Sequence, residues 1–254
     1  MIEIRRKLIV RREVWFDEPW KDAGADLIVF YHWSEALNPR AAQEVHSLEI
    51  DLTRDESAIW KGFTATTRNL INRGTKEGLS FQSWTAPPPP VVDEFFAFRR
   101  QFAAERGMSS ADPAWMYAYA AQGGLILTRA CAPDGKPLVW HSYSRVPAWV
   151  RLLHSVSVSD SGPEERKWIG WANRYLHWMD LLECRKLGIQ RYDFGGWYAG
   201  TEDEKLLRIN AFKEQFGGVK TKRYHSMLPG SAKGKLFLMA RERLKGEHGL
   251  VHYV

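Results

Sequence analysis

The nine residues YDFGGWYAG, Tyr192 to Gly200, hold one acid, four aromatics and three glycines. Glycines at the end of a strand permit positive φ and let the backbone come close to a ligand. Asp193 brings a carboxylate to the same corner, and Trp197 and Tyr198 bring large polar-edged rings. Proton transfer needs such groups, so Asp193, Tyr198, His141 and His154 are the candidate bases. The plainer alternative is that Asp193 caps the next turn while Gly195 and Gly196 only turn the chain. Strand histidines are more often satisfied face or core residues than catalysts. No Ser-His-Asp elbow, phosphate loop or zinc-ligand spacing occurs, so no metal is expected.

The corner must be held by its neighbours. LIVFYHW (Leu27 to Trp33) is β-branched and aromatic, as a strand should be. VHSLEIDLT (Val45 to Thr53) is a second strand, and Thr53-Arg-Asp-Glu56 reads as a capping box opening a helix to about Lys76. Gly78 ends that helix and LSFQSW returns as a strand. Helices are expected at about 93–106 and 114–121. Three strands follow, LILTRACA, PLVWHSYSRV and WVRLLHSVSV, the first two joined by a Pro133-Asp134-Gly135 turn. Ser161 is expected to cap a long helix to Leu187. Its apolar stripe is Trp168, Trp171, Tyr175, Trp178, Met179 and Leu182, at helical spacing. The strand IQRYDFG, a helix at 204–215 and the strand VKTKRYHSML complete the pattern. Helices on a mixed, mostly antiparallel sheet make an α+β, or layered α/β, fold.

The run APPPP, Ala86 to Pro90, reads as a stiff linker or crossing loop. It divides the chain into residues 1–86 and 91–254. Of 254 residues, 44% are hydrophobic and 26% charged, the balance of a soluble protein. No apolar run is long enough to span a membrane, and no signal peptide is legible. Cys131 and Cys184 are too few for a disulfide framework, which fits a cytoplasmic setting. A formal net charge of +6 favours a polyanionic partner, although a mildly basic surface without such a partner reads the same way. Lys61, Arg68, Arg73 and Lys76 gather on the first helix, where they either flank a groove or form its wet face.

Hairpin, strand, long helix, strand, short helix and strand, in that order, resemble the GNAT acyltransferase fold. Two segments resemble its FemABX branch and the related acetyltransferases. One is LEIDLTRDESAIWKGFTATTRNLINRGTKEGLSF, Leu48 to Phe81; the other is the long helix with YDFGG and AFKEQFGG, Ala211 to Gly218. The resemblance implies a FemABX-type protein with a reduced first lobe and no helical hairpin insertion. It places YDFGG beside the donor and acceptor clefts. It gives Lys213, in the Phe212-Lys213 pair, the task of stabilising a reacting acyl ester or an acceptor phosphate; a fixed cation suits the oxyanion formed when an amine attacks an ester. Arg68 and Arg73 would help to bind a nucleotide-linked acceptor or tRNA.

Two donors follow from the resemblance. Aminoacyl-tRNA, the favoured co-substrate, would pass its aminoacyl group to an amine of a cell-wall precursor or natural-product intermediate. Acyl-CoA is the alternative, for a sugar amine or small amine, because Lys167-Trp-Ile-Gly170-Trp-Ala172 is a near match to a pyrophosphate-binding turn. A helix capped at Ser161 would instead bury that segment inside its own first turns. From another class, the fold could be a non-catalytic nucleic-acid-binding module. No bound cofactor is expected, and the oligomeric state is not legible.

Overall fold

The computed structural model describes residues 1–6, 9–21, 24–39, 42–107, 113–159 and 162–245. Its first half runs β1 (Ile2–Arg6), β2 (Ile9–Trp15), β3 (Leu27–Trp33), β4 (Gln43–Asp51), α1 (Glu56–Gly62), α2 (Ala65–Lys76), β5 (Ser80–Thr85), α3 (Pro89–Glu105) and α4 (Ala114–Ala121). There follow β6 (Leu125–Cys131), β7 (Pro137–Val146), β8 (Trp149–Ser157), α5 (Pro163–Lys186), β9 (Arg191–Gly196), α6 (Glu204–Glu214), β10 (Val219–Pro229) and α7 (Ala232–Lys245). The expected α+β layering on a mixed, mostly antiparallel sheet is present.

The chain folds as two units, Met1–Ser47 with Thr221–Val254, and Leu48–Lys220. Strands β4 and β10 carry the chain from one to the other. In the first unit β1 and β2 form an antiparallel hairpin, β2 runs parallel to β3, and β3 pairs antiparallel with β10. Val14, Ala25, Ile28 and Phe30 form its buried cluster. Strands β1 and β2 escape a sequence reading because arginines interrupt their apolar alternation, as in IVRREVW.

The second unit orders its strands β4-β9-β8-β7-β6-β5. From β5 to β8 each neighbour is antiparallel, and Gly135, at φ +86°, turns β6 into β7. Helix α5 lies across β6, β7 and β8, and α2 lies along α5. One core joins Leu48, Ile50, Phe63, Ile71, Tyr143, Tyr192, Phe194 and Phe216. Removing such side chains from water contributes about 1.5–3 kcal/mol each.

Three local expectations are corrected. The helix opened at Thr53 is two helices: Thr53 Oγ1 bonds Asp51 at 2.6 Å, α1 begins at Glu56, and Phe63 leaves helical geometry to bury its ring. Thr64 then caps α2, accepting from the Thr67 N–H at 3.2 Å. The proline run is loop only in part: residues 86–88 cross from β5 to α3, while Pro89 opens α3, where a missing N–H has no helical partner to lose. It lies inside the second unit. On α5 the fully buried face is Ala172, Leu176, His177, Asp180, Leu181 and Cys184, with Tyr175 beside it; Trp168, Trp171, Trp178 and Met179 flank it, partly buried. Ser161 lies outside the described residues.

Candidate active site

Strands β8 and β9 are parallel, and they pair for only three residues: Trp149 with Arg191, Val150 with Tyr192, and Arg151 with Asp193. Strand β8 continues to Ser157, so beyond Arg151 the pairing stops and the two strands fork. A register shift between Ser142 and Tyr143, on the β7 side of β8, bends the strand at the same level. The YDFGG corner stands at this fork.

Asp193 is fully buried, and both its oxygens are engaged. Arg151 Nη1 donates to Oδ2 at 2.6 Å, and the Gly195 N–H donates to Oδ1 at 2.7 Å. The carboxylate therefore ties β8 to the turn after β9, and it holds the corner rather than facing a cleft. Gly195 has φ +81°, and a Cβ there would stand 2.9 Å from the Leu152 carbonyl oxygen and 3.9 Å from Lys213 Nζ. Only glycine fits this strand crossing.

Lys213 comes from the last turn of α6 and donates to the Gly196 carbonyl. It is half-buried, and burial first, then the nearby Arg151, lower its pKa from the ordinary 10.5 to about 8, with Asp193 opposing. A cation thus sits at the fork with its charge only partly solvated. Phe212 sits under the Arg174 guanidinium, 5.0 Å from ring centre to Cζ. Asn210 clamps the following loop: its Oδ1 accepts from the Tyr198 N–H at 3.1 Å, and its Nδ2 donates to the Tyr198 carbonyl at 2.7 Å. The Tyr198 hydroxyl lies over Gly200, where any side chain would collide with it. Trp197 packs on the core and carries Lys220 Nζ 4.4 Å from its ring centre.

The structure therefore gathers Asp193, Gly195, Gly196 and Lys213 at one point, with Phe212, Trp197 and Tyr198 around it. Other expected residues stand elsewhere. Arg68 donates to the Phe63 carbonyl and caps the kink between α1 and α2. Arg73 pairs with Glu77 at 2.6 Å and covers Trp171. Lys167, Gly170 and Ala172 lie within α5; Lys167 pairs with Glu164 at 2.5 Å and Ala172 is buried. Helix-interior N–H groups are already bonded, so this segment offers no anion-binding turn. His154 accepts or donates with Ser142 at 2.8 Å, and burial pushes its pKa down to about 3. His141 is enclosed against Asp180. Arg151, Asn210 and Arg174 were missed: isolated polar residues in a strand or helix give no local sign of their partners.

Among the described residues, one group has the composition of a metal site: His141, His177 and Asp180, all buried. It lies behind the corner, where the His177 ring packs on Phe194, Phe212 and Phe216.

The mixed sheet with its flanking helices recurs in solved structures. FemX superposes with a TM-score of 0.61 at 12% identity, covering 85% of this chain and 74% of that one. The C-terminal domain of a putative lysylphosphatidylglycerol synthetase from Agrobacterium fabrum gives 0.52 at 16%, covering 90% and 75%. L-PGS from Bacillus licheniformis gives 0.52 at 12%, covering 85% and 72%. The protein shares the fold of FemX. No protein-family model matches the chain, and no curated protein does.

Proposed function

We propose that the protein is an acyltransferase that forms an amide, taking an aminoacyl group from aminoacyl-tRNA and passing it to the amine of a cell-wall precursor or natural-product intermediate. The observation that carries the reading is the fork between β8 and β9 with the half-buried Lys213 ammonium at its apex. Unpaired strand backbone beyond Arg151 suits an extended acyl chain laid along it. As the amine attacks, the ester carbonyl becomes an oxyanion, and Lys213 stabilises it. The C–O bond then breaks, the 3′-terminal ribose hydroxyl of tRNA leaves with a proton, and the amide remains. Asp193, through Arg151 and the Gly195 N–H, is a positioning residue. The fold shared with FemX supports this donor class.

Acyl-CoA remains the competing donor. The test is melting temperature in the presence of charged tRNA, uncharged tRNA or acetyl-CoA, since a ligand of the native state alone must raise it. A larger rise with charged than uncharged tRNA, followed by acceptor-dependent loss of label from charged tRNA, is expected. A rise with acetyl-CoA alone transfers the fork to that donor. Tight nucleic-acid binding with no turnover of either donor across a set of amines would make the protein a binding module.

A further inference from the structure

A buried cluster of ionisable side chains lies one aromatic layer behind the fork. Strand β7 supplies His141 and Tyr143, whose alternate positions put them on one face. Helix α5 supplies His177 and Asp180, three apart and so on one face of the helix. Tyr192 enters from β9. None of the five is more than 1% exposed.

Their polar atoms converge. His141 Nδ1 stands 2.7 Å from Asp180 Oδ2 and 3.1 Å from the Tyr143 hydroxyl. The Tyr143 hydroxyl donates to Asp180 and lies 2.8 Å from that of Tyr192, which lies 2.9 Å from His177 Nδ1. The protein's own groups still leave the set incomplete. Asp180 Oδ1 and His141 Nε2 have no hydrogen-bond partner. Among the described residues no lysine or arginine pairs with Asp180, and its near neighbour is the His141 ring. A buried carboxylate with one orphaned oxygen needs a positive charge nearby.

We propose that this cluster is a structural site for a divalent first-row ion, zinc above all, held by one ring nitrogen each of His141 and His177 and by the Asp180 carboxylate. Two imidazoles and a carboxylate are a donor set that zinc favours. The Tyr143 hydroxyl, already against two of the three, is the fourth donor. Donor atoms of the three ligands lie within 4.8 Å of one another. A tetrahedral site with bonds of about 2.0–2.1 Å spaces its ligand atoms about 3.4 Å apart, so the close His141–Asp180 pair opens and the others draw in. All of these side chains are buried, so no position is open to a substrate, as in a structural rather than a catalytic site. Bound, the ion would join β7 to α5, and its second-layer tyrosine belongs to β9, one residue before Asp193.

A buried site must load as the chain folds. The test uses the full chain without an affinity tag. It is unfolded with chelator, refolded with zinc, with cobalt or with neither, and freed of loose metal by gel filtration. The expected result is about one equivalent of metal per chain, visible d–d absorption of tetrahedral cobalt, and a higher melting temperature than the metal-free form. Asp180→Asn and His177→Gln should each lower retained metal at least about tenfold, as the loss of a ligand does. Should either variant not fold, the wild-type stoichiometry and the cobalt spectrum still decide. Less than about a tenth of an equivalent in refolded wild-type protein overturns the proposal, and so does full retention in Asp180→Asn. These readouts do not depend on any transfer activity.

Discussion

Lys213 is where one side chain is asked to do most. Its pKa of about 8 has a definite sign for both rate and stability. On the proposed reading the ammonium is the active form, so turnover falls as pH rises through about 8. Lys213→Met should lower turnover by about 10²- to 10³-fold, the usual effect of removing an oxyanion-stabilising group, and should abolish that alkaline limb. Stability moves the other way. The unfolded lysine titrates near its ordinary 10.5, above the folded value. Below pH 8 both states keep the proton and the penalty of burying the charge is complete; between about 8 and 10.5 the unfolded chain binds more protons, so stability rises with pH. Lys213→Met should therefore be more stable than the parent at pH 7, by at most about 3 kcal/mol, with the gap closing near pH 10. Urea unfolding at the two pH values measures it. A variant less stable than the parent at pH 7 would contradict the burial cost. Asp193 and Gly195 stand out in sequence because YDFGG is a short, unusual run, whereas Lys213 is marked only through the resemblance of AFKEQFGG. Arg151 was not: it is one arginine in WVRLLHSVSV, and only the pairing of β8 with β9 sets it opposite Asp193.

At the scale of elements, the fork depends on two strands that touch and then part. Gly195 marks the parting, with its positive φ and its approach to the Leu152 carbonyl. Gly195→Ala meets both obstacles at once: a left-handed backbone costs an alanine about 1–2 kcal/mol, and the Cβ must push β8 aside. A loss of about 2–4 kcal/mol is expected, with a fall in turnover as Arg151 and Asp193 shift. Denaturant midpoints check the first and single-turnover rates the second; a variant as stable and active as the parent would show that the crossing is not tight. Most elements around this point could be read from apolar periodicity and punctuating glycines. The kink at Phe63-Thr64 could not, because a helical pattern runs through it and only the burial of Phe63 breaks the helix. Nor could the buried face of α5. Its tryptophans suggested one stripe, whereas the enclosed face carries His177 and Asp180, whose burial depends on partners arriving from β7 and β9.

For the whole molecule, Thr221–Val254 folds into one unit with Met1–Ser47. A forward reading of sequence sees stiffness at the prolines but cannot see two ends meeting, so it divided the chain elsewhere. Net charge, by contrast, needs no structure. An excess of six cations has a testable consequence if tRNA is the donor. Each phosphate neutralised releases condensed counterions, so log affinity must fall linearly with log salt, by about 0.7 to 0.9 per contact. With a handful of contacts, a slope between about −2 and −5 is expected for uncharged and charged tRNA alike. The aminoacyl group adds contacts at the fork rather than on the phosphates. The ratio of the two affinities should therefore stay above one and nearly constant while both fall. Fluorescence anisotropy from about 50 to about 400 mM salt, a span over which phosphate-driven affinity changes steeply, would measure both slopes. Parallel lines separated by a fixed offset support an aminoacyl end held at the fork. Coincident lines mean that the protein binds tRNA through phosphates alone and does not recognise the aminoacyl group, and a flat response removes tRNA as the donor.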